Sequence, residues 1–131
     1  MILIDTHIWI WWVSENERLT PRLQEALWQS IPGGVGVSVI SCWEVANLVE
    51  GNRIQLGRPV RDWIAVALGY PGVQFVSLTP DIAVTSTQLP GNFHKDPADR
   101  ILVATARIYQ IPLLTVDGLI LAYPHVQKVQ L

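Results

Sequence analysis

The sequence predicts an α/β fold, a three-layer arrangement in which a parallel sheet lies between helices on both faces. Three observations predict it. Short apolar runs alternate with helix-like stretches along the chain, and Pro and Gly punctuate the boundaries. Two of only eleven acidic residues close strand-like runs, Asp5 after Ile2-Leu3-Ile4 and Asp117 after Leu113-Leu114-Thr115-Val116. Strands separated by helices favour right-handed parallel crossovers. An open α/β sheet binds ligands in the crevice beyond the carboxyl ends of its strands, where those two acids would meet.

Residues 2–5 read as a buried strand, and residues 7–14 as helix or irregular chain carrying Trp9, Trp11 and Trp12. Thr20 before Pro21 supplies an N-cap and an N1 proline for a helix that runs to about Ser30 and stops before Pro32-Gly33-Gly34. Gly36 to Ser38 reads as a short strand. A helix follows from about Ser41 to Val49, halted by Gly51-Asn52. Another spans about Val60 to Leu68, between Pro59 and Pro71-Gly72. Val73 to Leu78 alternates and is β-branched, the pattern of a strand. Thr79-Pro80 opens a helix that ends near Pro90-Gly91, and Asp96-Pro97 opens the clearest helix, to about Tyr109. Pro112 to Val116 reads as a buried strand and Val126 to Leu131 as a last one, which makes a sheet of about five strands.

The 131 residues suit a single domain, 1–131, with a real core. Half of the residues are hydrophobic and 15% are charged, apolar enough, with six Trp, to expect a self-association or partner surface. The longest apolar stretch, Ile8 to Val13, is too short to span a bilayer, so no membrane role is expected. The first residues have no basic n-region, which argues against a signal peptide. Cys42 stands alone; it excludes an internal disulfide and fits the cytoplasm. A net charge of −2 argues against a broad nucleic-acid binder with a basic face, yet leaves room for a nuclease whose metal supplies positive charge. Arg53, Arg58 and Arg61 form the best basic patch, or else an ordinary solvated face.

Glu44 and the pair in Asp96-Pro97-Ala98-Asp99 are candidates to join Asp5 and Asp117. Unpaired carboxylates at one site repel each other unless a divalent cation neutralises them, and oxygen ligands fit Mg²⁺ or Mn²⁺. Each acid also has a purely structural explanation. Asp5 fits an N-cap, and Asp117-Gly118 fits a turn. Asp96 and Asp99 fit the N-cap and N3 positions of their helix, and Glu44 fits a capping box with Ser41. His7, His94 and His125 lack metal-ligand spacing; His94, next to Lys95-Asp96, reads as a solvated loop residue or else a contact to a phosphate or a partner. No phosphate-binding glycine loop and no nucleophile elbow is present.

Four stretches in order, Met1-Ile-Leu-Ile-Asp-Thr-His7, Ser41-Cys-Trp-Glu-Val-Ala46, His94-Lys-Asp-Pro-Ala-Asp-Arg-Ile-Leu-Val-Ala-Thr-Ala106 and Leu113-Leu-Thr-Val-Asp117, together with Ala122-Tyr-Pro, resemble a PIN-domain ribonuclease. The chain is most similar to the VapC-like toxins of toxin–antitoxin pairs. The resemblance covers essentially the whole chain, and the His94–Ala106 block is its most specific part. It implies a PIN-like sheet of about five strands between helices, Mg²⁺- or Mn²⁺-dependent cleavage of RNA, and a homodimer silenced by a small antitoxin. By position, Asp5, Glu44, Asp99 and Asp117 match the acidic quartet that holds metal and carries catalysis, with Asp96 as an auxiliary acid. Arg53, Arg58 and Arg100 are candidate RNA contacts, and Trp11 and Trp12 candidate stacking platforms or buried core. Residues 52–72 carry no family motif. The rival readings are a receiver-like signalling module and a non-catalytic protein that keeps the fold and binds through its Trp surface. The first would show adjacent acids after its first strand, where Ile4-Asp5-Thr6 has one.

Overall fold

The computed structural model describes residues 1–131. The elements are β1 (Ile2–Ile4), α1 (Thr6–Val13), α2 (Pro21–Ser30), a 3-10 turn (Ile31–Gly33), β2 (Val35–Ser38), α3 (Val39–Glu50) and α4 (Val60–Leu68). They continue with β3 (Val73–Val76), α5 (Pro80–Thr87), α6 (Pro97–Tyr109), β4 (Leu113–Leu114) and α7 (Gly118–Ala122). The sheet has four strands in the order β3-β2-β1-β4, all parallel. Both of β1's neighbours are reached by crossovers through helices, as parallel pairing requires.

The period-2 pattern of β1 decides which helices lie on which face. Ile2 and Ile4 point into a core with Val35, Val37 and Leu114, covered by Trp9, Leu23, Leu27, Val45 and Trp63 from α1 to α4. Leu3, fully buried, points the other way, into a core with Leu113, Ile82, Leu102, Val103 and Ile120 from α5, α6 and α7. Three strand residues thus separate two cores, and a one-residue slip would exchange them. On the first face Trp9 and Trp63 pack edge to face, with ring centroids 5.0 Å apart. No helix is long and apolar enough to cross a membrane.

The structure corrects several sequence expectations. The sheet has four strands, not five. Val126 to Leu131 contributes a single parallel bridge, Leu113 to Lys128, because β4 is only two residues long and offers no longer edge to pair with. The third helix starts at Val39, with the Ser38 hydroxyl accepting from Ile40 N–H. Ser41 therefore lies inside the helix, and Glu44 sits a turn further on, so the expected capping box does not form. β3 stops at Val76, and Phe75 stands exposed on this edge strand. The Asp117-Gly118 turn opens a short helix that the sequence reading did not anticipate.

Candidate active site

Three helices begin at the carboxyl end of the sheet or beside it, and an aspartate caps each. Asp5 accepts from Ile8 N–H at 3.1 Å, Asp96 from Asp99 N–H at 3.0 Å and Asp117 from Ile120 N–H at 3.0 Å. The structural and functional readings of these acids are therefore compatible. One lone pair of a carboxylate satisfies an orphan N–H and the others stay available.

The pairing of β1 with β4 sets Ile4 beside Leu114, and Asp5 N–H donates to the Leu114 carbonyl at 3.1 Å. The following side chains meet as well. The buried Thr115 hydroxyl donates to Asp5 Oδ2 and accepts from Asp117 N–H at 3.0 Å, so one threonine fixes both acids. A second threonine does the same for the glutamate. The Thr6 hydroxyl donates to Glu44 Oε1. Its single proton is then committed, so at 2.9 Å it accepts from the Ser41 hydroxyl. Asp99, at the third position of α6, is aimed inward because Asp96 performs the capping.

The structure brings His94, Asp99 and Asp117 together, with one ligand atom from each lying within 4.8 Å of the others. His94 Nε2 is 3.0 Å from Asp99 Oδ2. Asp5 and Glu44 complete the acidic surroundings. Burial, then Asp96, Asp117, Glu44 and Asp5 in that order, push the Asp99 carboxyl up to about 7. Burial also raises Asp5, against its bonds from Thr115 and Ile8 and the nearby His7, while Asp117 adds to the rise. Burial raises Glu44, opposed by the bond from Thr6 and reinforced by Asp96. Every shift has the sign expected where acids crowd together with too little positive charge. That is the condition a divalent cation relieves. The residues fit such an ion: the half-buried carboxylates of Asp99 and Asp117 each bring an oxygen to the same spot, with Asp5 and Glu44 close enough to add to the negative charge there.

The other expected residues lie elsewhere. Arg100 is spent internally. Its Nε donates to the Ser86 carbonyl at 2.8 Å and its Nη1 to those of Phe93 and His94 at 3.0 and 3.2 Å. The guanidinium thus clamps the loop before α6. Arg53 is exposed in a groove with His7, Trp11, Arg18 and Leu56, and Arg58 lies in a neighbouring one with Trp63 and Tyr70. Trp11 and Trp12 are half-buried against the first core. Sequence reasoning missed His94, Thr6, Ser41 and Thr115. The threonines did leave a signal, since each is a lone polar residue in or beside a buried apolar run next to an acid. His94 opens the His94–Ala106 stretch, but because a loop places it nothing local distinguishes it from a solvated histidine.

The chain matches the PIN domain family over residues 2–124. It is 35% identical, over 98% of its own length and 95% of the other's, to Ribonuclease VapC22 of Mycobacterium tuberculosis (strain ATCC 25618 / H37Rv). The chain therefore belongs to the PIN domain family, which accounts for a parallel sheet with acids gathered at its carboxyl edge. Solved structures share the fold. VapBC2 from Rickettsia felis, bound to a DNA fragment from its promoter, superposes with a TM-score of 0.70 at 13% identity over 98% of both chains. Mycobacterium tuberculosis VapC20, a sarcin-ricin loop cleaving toxin, superposes with a TM-score of 0.63 at 20% identity over 97% of this chain and 99% of that one.

Proposed function

We propose that residues 1–131 act as one PIN-like domain, a divalent-metal-dependent endoribonuclease that serves as the toxin of a toxin–antitoxin pair. The observation that carries this is the gathering of Asp5, Glu44, Asp99 and Asp117 at one sheet edge, where burial first and then the neighbouring acids push Asp99 up to about 7, in a PIN-family chain. Relatives named as a ribonuclease and as a sarcin-ricin loop cleaving toxin support RNA as the substrate. Relatives solved as toxin–antitoxin complexes support a small antitoxin protein as the partner. An RNA target of this kind puts the protein in the cytoplasm.

Asp5, Asp99 and Asp117 would hold the cation, Mg²⁺ or Mn²⁺. Such an ion, when bound, lowers the pKa of water and offsets charge gathering on the phosphate in the transition state. Glu44 has one oxygen occupied by the Thr6 hydroxyl, which leaves the other free to accept from a water. Its raised pKa suits it to take the proton as that water's oxygen bonds to phosphorus and the bond to the sugar oxygen breaks, the departing oxygen gaining a proton from solvent. The Thr115 bridge keeps Asp5 and Asp117 at a fixed spacing through this change. The many exposed apolar side chains, Trp28, Trp43, Phe75 and Leu119 among them, support a homodimer and an antitoxin-covered surface.

The test is to incubate purified protein, freed of any antitoxin, with a structured RNA pool and with DNA of the same sequences, in Mg²⁺, Mn²⁺ or EDTA. Internal cutting of RNA that EDTA abolishes is the expected result. Cutting that persists in EDTA, or no cutting of any RNA by a folded, metal-loaded preparation, would reject the reading.

A further inference from the structure

His94 is the polar group of the acidic cluster that the scheme above leaves without a task. We infer that His94 is a nitrogen ligand of the divalent cation held by Asp99 and Asp117, which makes the site selective for Mn²⁺ over Mg²⁺. This rests on the metal-dependent reading above and adds a ligand to it. Three observations support the assignment.

The first is geometric. His94 Nε2 lies 3.0 Å from Asp99 Oδ2. Adjacent ligands of an octahedral ion with bonds of roughly 2.1 Å stand about 3 Å apart. The ligand atoms of His94, Asp99 and Asp117 all fall within 4.8 Å of one another. Opposite ligands of such an ion stand about 4.2 Å apart, so a small side-chain adjustment brings all three donors onto one ion.

The second is an unmet need. Nε2 is shielded from solvent and has no hydrogen-bond partner, despite the short distance to Asp99. The nitrogen and the oxygen therefore sit side by side and are not joined by an N–H pointing at the carboxylate. A buried ring nitrogen left this way costs free energy. A cation in front of both atoms satisfies both. A simple His–Asp ion pair would instead direct the N–H at the oxygen.

The third is preorganisation. Arg100 grips the carbonyls of Phe93 and His94, fixing the loop's backbone. The Phe93 ring stands edge-on to the imidazole with centroids 4.5 Å apart, and is itself packed 4.7 Å from Tyr123. The ring is thus held by its loop and its neighbour, as ligand histidines are held by their surroundings. Arg100 acts here as a positioning residue. An imidazole ligand favours Mn²⁺ over Mg²⁺, which takes oxygen donors.

The experiment is pulsed electron paramagnetic resonance of one equivalent of Mn²⁺ on the full chain, with Mn²⁺ and Mg²⁺ affinities measured beside it. Wild type should show nitrogen modulation from a coordinated imidazole. His94→Gln, checked for folding by circular dichroism, should lose the modulation and bind Mn²⁺ about tenfold more weakly. Its Mg²⁺ affinity should change far less. His7→Gln should keep the modulation. Bound Mn²⁺ without nitrogen modulation in the wild type, or modulation that survives in His94→Gln, would overturn the assignment of His94 while leaving the nuclease reading intact. Failure of the wild type to bind Mn²⁺ or Mg²⁺ would overturn both. His94→Asn provides the same comparison if the glutamine variant does not fold.

Discussion

At Asp99, burial and four neighbouring acids act in one direction, and the consequence for stability has a definite sign. The carboxyl is pushed up to about 7 in the folded state, against an ordinary value of 3.8. Between those values the folded chain holds a proton that the unfolded chain has released. Stability of the metal-free protein therefore falls as pH rises through this window and is lowest above it. Urea midpoints of EDTA-treated protein should be higher at pH 5 than above pH 7. Asp99→Asn should weaken that dependence, although Asp5 and Glu44, also raised, will keep part of it. An unchanged pH dependence in the variant would place Asp99 outside the crowded cluster. The acids themselves were legible in the sequence, because scarce carboxylates at the ends of apolar runs are conspicuous. Their supports were less so. Nothing local in Thr115 or Thr6 says that its hydroxyl reaches Asp5 or Glu44 across the sheet. His94 was read as a solvated loop residue because nothing in the sequence shows the Arg100 clamp behind it.

Helix ends do much of the positioning at the next scale. α1, α6 and α7 each begin on an aspartate, so the caps that start the helices also deliver carboxylates to one edge. Thr115 ties two of these caps together. Thr115→Val keeps the shape but leaves the Asp117 N–H and the Asp5 carboxylate short of a partner. It should cost about 1–3 kcal/mol in chemical denaturation and weaken metal binding, while Thr115→Ser should do neither. Full stability in the valine variant would show that the bridge is not formed. At the other end of α6, Gln110 caps the helix in the left-handed region, at φ 55. Gln110→Gly should raise stability by roughly 1 kcal/mol, read as a higher melting temperature, because glycine adopts that conformation without a Cβ penalty. The starts of α2, α5 and α6 were plain from Thr-Pro and Asp-Pro pairs. The start of α3 was not. Ser38 and Ser41 are both capable caps, and Glu44 three residues after Ser41 imitates a capping box. The contact of Ser41 with Thr6 shows where that serine goes in the fold. The last expected strand, Val126 to Leu131, failed because a strand needs an edge to pair with, and β4 supplies too little of one.

Across the whole molecule, a single strand separates two cores, and the site sits where that strand ends. Leu3→Ala empties a fully buried position between β1 and α6 and should cost about 2–5 kcal/mol in urea unfolding. A much smaller loss would mean that the second core does not close over the sheet. The alternation of strands and helices made this parallel architecture readable from the sequence, and the family resemblance sharpened it. Association is expected on two grounds: half the residues are hydrophobic, and large apolar side chains remain outside both cores. Light scattering at micromolar concentration should report a dimer, and a monomer would contradict that. Millimolar Mg²⁺ or Mn²⁺ should raise the melting temperature by linkage, since the ion binds the folded acids and not the dispersed ones.

If these carboxylates hold a metal for RNA cleavage, removing the charge of Asp99 should abolish cutting. The most direct test compares wild type with Asp99→Asn on the same structured RNA in Mg²⁺ and in Mn²⁺. Cleavage by the wild type and none by a folded variant is the predicted result. Cleavage by Asp99→Asn at the parental rate would contradict it.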